Sequence, residues 1–356
     1  CLWTTSRHTS CMSFSVALLR GLIGIAVFIG IAELFSKRRR SSNWRLVGAG
    51  IGLQIVFALL VLKTGPGEVL FDTLAQLFRD LLAFTYDGSS FIFGALGDPA
   101  EGNNFAFQVL PTIIFFASLM GVLYHLKLVQ PLVRGMGWVM QKTLRISGAE
   151  SLAAAGNVFI GQTEAPLVVK PYVEKMTKSE LMTLMCGGMA TIAGGVLAAY
   201  ISFLGGDTEA EQVLFAKHLL SASIMSAPAA IVMAKILVPE TEEPATAGMA
   251  DIEEIEEIDN VIEAAANGAA DGLKLALNVG AMLLAFIALI GAINAIFGWF
   301  GAPTVFGTEL YDLNSVIAAT SDGRFESLSL QAVFGFLFAP LAWAMGVETV
   351  DILSFG

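Results

Sequence analysis

A polar triplet, Gln162-Thr163-Glu164, interrupts an otherwise apolar stretch of the chain between residues 149 and 171. Its side chains offer an amide, a hydroxyl and a carboxylate, which together suit a polar, uncharged ligand with several donors and acceptors. A buried set of this kind discriminates strongly, because a wrong ligand leaves the polar groups of the protein unpaired. The triplet is therefore a candidate ligand-binding site.

The same region offers ligands for a hard monovalent cation. Asn157 lies about one turn before the break, and the last carbonyls of the helix that ends near Ile160 have no partner within that helix. Glycine pairs in the following apolar helix allow it to unwind at Thr191-Ile192, which would add a hydroxyl and further carbonyls. Such an all-oxygen, largely uncharged set suits sodium.

The lengths of the segments around the break indicate a re-entrant hairpin. The first half has about 12 residues and reaches about 18 Å, whereas the hydrocarbon core of a bilayer is about 30 Å thick. Non-helical backbone at this depth is tolerated only where protein buries it or where it lines a cavity. In transporters such breaks hold the substrate and the coupling ion, so this stretch favours a transport function.

Each of these features also has a plainer interpretation, which the residues alone leave open. The triplet could be an ordinary loop outside the bilayer, although its apolar flanks and the cost of a membrane carboxylate argue against this. Asn157 could simply hydrogen-bond across helices. The glycines at 187, 188, 194 and 195 could serve close packing of helices.

The composition places the chain in a membrane. Hydrophobic residues make up 55% and charged residues 14% of the 356 residues, and the mean hydropathy of +0.71 is rare in soluble domains. This length allows roughly six to eight membrane passes. The net charge of −11 argues against nucleic-acid binding, since phosphate recognition needs a basic face. The cysteines show no metal-ligand or disulfide spacing, and no catalytic residues are predicted.

Hydropathy along the chain predicts an all-α polytopic membrane protein with transmembrane helices, a re-entrant helical hairpin and interfacial helices. The predicted apolar helices cover residues 14–35, 46–63, 105–126, 179–204, 213–238, 273–300 and 328–346. The helix over 179–204 has a weak point at its glycine pairs, and the helix over 213–238 is expected to break at Pro228. Amphipathic patterns predict helices over 68–85 and 128–147.

Several of these segments resemble the concentrative nucleoside transporters. Residues 156–167, Gly-Asn-Val-Phe-Ile-Gly-Gln-Thr-Glu-Ala-Pro-Leu, are similar to the first re-entrant hairpin of that family. The similarity extends through residues 177–181, 188–194, 276–283 and 337–343. The resemblance implies sodium-coupled nucleoside uptake by a homotrimer, with a scaffold and an elevator-type transport domain. It implies a multi-pass plasma membrane protein, in a bacterial inner membrane, that is not an enzyme and needs no cofactor besides the coupling ion.

The resemblance also implies two sets of site residues. The residues that would contact the nucleoside are Gln162, Thr163, Glu164 and Val196. The residues that would hold sodium are Asn157, Ile160, Thr191 and Ile192, with the two isoleucines contributing backbone carbonyls. Position 191 is often serine in this family, and threonine keeps the hydroxyl.

Taken with the resemblance, the chain divides into five parts. They are a non-native or disordered N-terminus over 1–12, scaffold spans and amphipathic helices over 13–147, a transport-domain part with the hairpin over 148–238, an acidic linker and interfacial helix over 239–272, and a scaffold span, a loop and the start of the second transport-domain half over 273–356. The family continues beyond the position that matches Gly356 with a second hairpin and two more helices. We therefore expect a carboxy-terminal truncation, with full activity requiring the missing part.

Two alternatives to a working transporter stay open at this point. A truncated chain could act as a non-transporting fragment that only assembles with trimers or disturbs them. A membrane-embedded enzyme is less favoured, because it would need a metal or nucleophile set in the spans and the sequence shows none.

Overall fold

The structure is a computed structural model, and it describes most of the chain. The described residues are 14–39, 41–101, 104–159, 161–162, 165–192, 194–205, 208–246, 260–302, 304–305, 308–309 and 311–355. The predicted disordered N-terminus over 1–12 lies outside them. The same holds for residues 247–259, which make up much of the predicted acidic linker.

The described residues are almost entirely helical, which confirms the predicted all-α class. The α-helices are α1 Phe14–Leu34, α2 Trp44–Lys63, α3 Gly65–Phe93, α4 Leu110–His125, α5 Val129–Leu144, α6 Gly148–Phe159, α7 Ala165–Val168, α8 Lys170–Val173, α9 Lys178–Ala190, α10 Gly194–Leu204, α11 Glu209–Leu237, α12 Val261–Gly301, α13 Leu313–Thr320, α14 Leu330–Ala344 and α15 Ile352–Phe355. Two short strands, β1 Thr304–Val305 and β2 Thr308–Glu309, pair antiparallel. A π-helical turn, Phe105–Val109, precedes α4.

Four helical stretches in the described part of the chain are long and apolar enough to cross a membrane. They are Trp44–Val61, Phe105–His125, Ala210–Leu237 and Val261–Gly301. The last of these, in α12, exposes large apolar side chains such as Leu284, Phe286 and Ile287. Contiguous apolar surface of this kind is unfavourable in water and is covered by lipid in a polytopic membrane protein.

The predicted break of a helix at Pro228 was wrong. Helix α11 runs without interruption from Glu209 to Leu237, with the proline inside it. A proline removes one backbone hydrogen bond, which a neighbouring polar side chain can compensate within a membrane. The carbonyl that loses its partner is that of Ile224, four residues before the proline. At the next residue, Gln54 of α2 donates its amide Nε2 to the carbonyl of Met225 at 3.1 Å, so α2 contacts α11 beside the proline. The helix is continuous where this neighbour packs against it.

The apolar span that was predicted to begin at residue 273 begins at Val261 instead. Its first turns pack closely on α4, where a Cβ at Gly268 would lie 2.6 Å from the carbonyl oxygen of Ala117. Ser118 of α4 also donates a hydrogen bond to the carbonyl of Ala265 at 2.8 Å. This close packing on α4 stabilises helical residues whose own sequence is too polar and glycine-rich to indicate a span.

The described residues form two compact units, one of those within 14–34 and from 281 onward, and one of those within 35–280. In the first unit, Arg20 of α1 donates to the carbonyls of Trp343 and Val347 at 2.9 and 2.8 Å, which caps the end of α14. In the second unit, α3, α4, α10 and α11 share a hydrophobic core. Its buried members include Ala75, Leu82, Phe116, Leu197, Ile201 and Ala216. All candidate site residues that the structure describes belong to this second unit.

Candidate cation and ligand site

The predicted hairpin is present as two short helical halves around a break. The first half is α6, whose 12 residues end at Phe159, and the second half consists of the short helices α7 and α8. Between them Gly161 has a φ of +117°, a conformation that glycine adopts far more readily than other residues. Its carbonyl then accepts a hydrogen bond from the N–H of Ala165 at 2.9 Å, which starts the second half.

Asn157 carries the main evidence for a site at this break. Its side chain is 1% exposed, and neither Oδ1 nor Nδ2 has a hydrogen-bond partner among the residues that the structure describes. An unsatisfied buried polar group costs about 1–3 kcal/mol, so native structures rarely keep one without a reason. A bound cation would use the carbonyl oxygen of the amide, and the residue therefore fits the ligand role that the sequence predicts.

The unwinding predicted at Thr191-Ile192 is observed. Helix α9 ends at Ala190, α10 begins at Gly194, and Thr191 has an extended backbone with φ −105° and ψ 159°. The hydroxyl of Thr191 donates to the carbonyl of Gly187 at 2.9 Å. Because its only proton is used in this bond, the hydroxyl oxygen keeps lone pairs that can accept from a ligand or coordinate a cation.

Glycines in α9 bring this helix close to the hairpin. A Cβ at Gly187 would lie 3.0 Å from Nδ2 of Asn157, and a Cβ at Gly188 would lie 3.1 Å from the Cβ of Gln162. Both distances are shorter than ordinary contacts between side chains, so a Cβ at either position would require its neighbour to move by a few tenths of an ångström. The structure thus brings Asn157, Gln162 and the last turn of α9 together, as the candidate site requires.

The remaining predicted site residues are less fully described. Val196 lies in the first turn of α10, and its side chain is half-buried. Ile160, Thr163 and Glu164 lie outside the described residues, so their roles stay predictions. Gln162 is described, and its side chain is exposed at the break.

Sequence reasoning missed Ser223, which lies in α11 and is 3% exposed. Its hydroxyl accepts from the N–H of Ile192 and donates to the carbonyl of Ile192, both at 3.4 Å. Ser223 therefore satisfies backbone groups that lose their helical partners where α9 ends. A serine in an apolar helix gives no sign of this role, because the unwound segment is 31 residues away in the chain.

Replacing Ser223 by alanine should destabilise this unit. The backbone N–H and carbonyl of Ile192 would lose a partner in a buried setting, and we expect the free energy of unfolding to fall by about 1–2 kcal/mol. Denaturant titration of the purified protein in detergent measures this change. Ser226→Ala is the matched control, because the hydrogen bond of the Ser226 hydroxyl to a described residue stays within α11, where it donates to the carbonyl of Ser223 at 2.8 Å. Equal stability of both variants would contradict the assigned role of Ser223.

Comparisons with known proteins agree with this geometry. Family models match for the N-terminus of the Na+ dependent nucleoside transporters over residues 23–96, for nucleoside recognition over 106–207, and for the transporter C-terminus over 218–356. An uncharacterized transporter of Haemophilus influenzae is 39% identical over 93% of this chain, which covers 73% of that relative. The chain belongs to the Na+ dependent nucleoside transporter family. This confirms the predicted family, and it confirms a transporter rather than an enzyme.

Other relatives extend the comparison. Solute carrier family 28 member 3 of Rattus norvegicus is 40% identical over 92% of the chain, which spans only 42% of that protein. Among solved structures, CNTnw in an inward-facing substrate-bound state matches with a TM-score of 0.78 at 38% identity, covering 95% of this chain and 74% of that chain. Variants of CNTnw in outward-facing and intermediate states match with TM-scores of 0.78 and 0.80. The fold is therefore that of a multi-pass membrane transporter.

Proposed function

We propose that the protein takes up nucleosides across the membrane by sodium-coupled secondary active symport. The observation that carries this proposal is the buried amide of Asn157, which lacks a partner among the described residues at the point where the hairpin meets the unwound end of α9. The curated mammalian relatives named as sodium/nucleoside cotransporters support the same assignment.

The sodium ion would be held by oxygen atoms from two helix ends. Asn157 supplies its side-chain carbonyl, Thr191 its hydroxyl, and Ile160 and Ile192 their backbone carbonyls. The free carbonyls at a helix C-terminus carry partial negative charge, so α6 and α9 both present their favourable ends to a cation. This arrangement needs no titratable carboxylate among the sodium ligands.

The nucleoside would be recognised by the residues that follow. Gln162, Thr163 and Glu164 present donors and acceptors to the base, and Val196 lines the same pocket. Sodium bound at the end of α6 would also hold in place the backbone that leads into the triplet. Coupling of this kind is reciprocal: sodium raises the affinity for the nucleoside, and the nucleoside raises the affinity for sodium by the same factor.

The proposal includes a homotrimer in a bacterial inner membrane. Residues 13–147 and the span from 273 would contribute to the scaffold, and residues 148–238 to a transport domain that moves as an elevator. The likeness to CNTnw in inward-facing, outward-facing and intermediate states supports such a movement.

Uptake should depend on sodium and not on the proton gradient. Cells or liposomes that contain the protein are given labelled uridine or adenosine in sodium medium and in choline medium at constant pH. We expect accumulation in sodium and loss of accumulation in choline, because the candidate cation site consists of neutral oxygen ligands. Uptake that follows an imposed proton gradient and ignores sodium would overturn the proposed coupling.

A further inference from the structure

A buried ion pair lies in the second unit, away from the candidate site. Lys235, in the last turn of α11, pairs with Glu150, in the first turn of α6. The two side chains are 6% and 1% exposed. The Lys235 ammonium also donates to Oγ of Ser179 at 2.9 Å and to Oε2 of Glu240 at 3.2 Å. We call these four residues the Lys235 cluster.

The Lys235 cluster joins the ends of three helices. Glu150 caps the start of α6, and its Oε1 also accepts from the hydroxyl of Thr183 in α9 at 2.9 Å. Ser179 belongs to the first turn of α9, and Lys235 to the end of α11. Each charged group lies at the helix end that the helix dipole favours. The carboxylate of Glu150 is at the N-terminus of α6, and the ammonium of Lys235 is at the C-terminus of α11.

Glu240 closes the cluster from the segment that follows α11. Its Oε2 accepts from the hydroxyl of Thr177, the N-cap of α9, at 2.8 Å. Burial raises the pKa of Glu240, but the hydrogen bond from Thr177 and the Lys235 ammonium outweigh it and hold the pKa below its ordinary value. Glu240 is therefore a charged carboxylate near neutral pH, and it strengthens the attachment of Lys235 to α9.

The same three helices carry the candidate cation site further along their lengths. Asn157 is seven residues after Glu150 in α6, or about 10 Å at 1.5 Å per residue. Helix α9 starts at the cluster, and Thr191 follows the last turn of this helix. Ser223, which holds the backbone of Ile192, is twelve residues before Lys235 in α11, or about 18 Å. These three helices therefore connect the cluster to Asn157, Thr191 and Ser223.

We propose that Lys235 is a positioning residue for the cation site, which it serves by fixing the axial positions of α6 and α9 against α11. This inference rests on the proposed sodium coupling. Without the ammonium, Glu150 and Glu240 would be left as poorly compensated carboxylates, and the starts of α6 and α9 would move apart. A shift of a few tenths of an ångström at Asn157 and Thr191 is enough to weaken coordination, because ligands must be held within about 0.5 Å of their productive geometry.

Lys235→Met tests the inference, since methionine keeps the length of the side chain and removes its charge. We expect the sodium concentration for half-maximal uptake to rise roughly tenfold, the lower end of the effect of groups that orient metal ligands. The maximal rate per transporter molecule should change much less. The purified protein should likewise need roughly tenfold more sodium for half of its thermal stabilisation by sodium.

Lys217→Met is the matched control on the same helix. Lys217 pairs with Asp72 at 2.7 Å and joins α11 to α3, which supplies none of the proposed sodium ligands. The half-saturating sodium concentration of the Lys217→Met variant should equal that of the wild type. A purely structural role of Lys235 would lower the amount of protein and leave half-saturation unchanged, and that result would overturn the inference.

The double variant Lys235→Met/Glu150→Gln keeps the test decisive if the single variant does not fold. It removes both charges of the pair, so no unpaired buried carboxylate remains at Glu150. We expect it to reach the membrane and to retain a raised half-saturation, and a wild-type value would contradict the inference. A wild-type protein whose uptake ignores sodium would instead overturn the proposed function, so the two failures can be told apart.

Discussion

Replacing Glu164 by glutamine is expected to abolish nucleoside uptake while the protein still reaches the membrane. The carboxylate would lose charge-assisted hydrogen bonds to the nucleoside, each of which contributes about 1.5–3 kcal/mol, or roughly 10- to 150-fold in affinity. Gln162→Ala should have a similar effect, because it removes the neighbouring amide. Uptake of labelled uridine and adenosine, normalised to the amount of transporter at the surface, measures both variants.

Glu174→Gln is the matched control for this experiment. Glu174 is exposed at the end of α8, in the same half of the hairpin, and it belongs to neither predicted site. Its neutralisation should leave uptake unchanged. Uptake within about twofold of the wild type for both Glu164→Gln and Gln162→Ala would show that the triplet does not form the substrate site.

The second large effect is expected for Asn157→Ala, which should change the stability of the protein in opposite directions with and without sodium. In sodium the wild type gains RT ln(1 + [Na⁺]/Kd), about 2.7 kcal/mol at a hundredfold excess over Kd, and the variant should lose most of this gain. Without sodium the variant should be as stable as the wild type or slightly more stable, because it no longer buries an amide that lacks a partner among the described residues. Thermal unfolding with and without sodium separates the two effects.

Asn260→Ala distinguishes this result from general damage. The side chain of Asn260 is exposed and accepts from the N–H of Glu263 at 2.9 Å in the first turn of α12. Its loss should lower stability equally in the presence and absence of sodium. A sodium-dependent stabilisation of Asn157→Ala as large as that of the wild type would exclude Asn157 as a sodium ligand.

The parts of the fold that were predictable follow from local rules. Gly161 and the polar triplet mark the hairpin break, and glycine pairs mark the end of α9, because glycine weakens a helix wherever it stands. The predicted break at Pro228 was wrong because the effect of a proline is not set by a local rule alone. Whether a proline interrupts a helix depends on the packing around it, and Gln54, which contacts α11 beside Pro228, is 171 residues away in the chain from its partner Met225.

The candidate site likewise combines residues that local sequence rules predict with residues that only tertiary contacts reveal. Asn157 and Thr191 could be predicted because each lies beside a break that the sequence reveals. Ser223 and Lys235 could not, because their roles exist only where α11 packs on α9 and α6. Tertiary contacts of this kind have no periodicity or composition by which a single sequence would reveal them.

The close approach of α9 to the hairpin has a consequence for sequence variation at position 187. Every replacement of this glycine adds a Cβ, which would meet the amide of Asn157 whatever the size of the rest of the side chain. Even the smallest, Gly187→Ala, would place that Cβ 3.0 Å from Nδ2 of Asn157. The side chain of Asn157 would have to give way before the backbone of α9 does. If Asn157 holds the coupling ion as proposed, Gly187→Ala should give normal amounts of folded transporter with weaker sodium binding, and assays of expression or trafficking alone would not detect the defect.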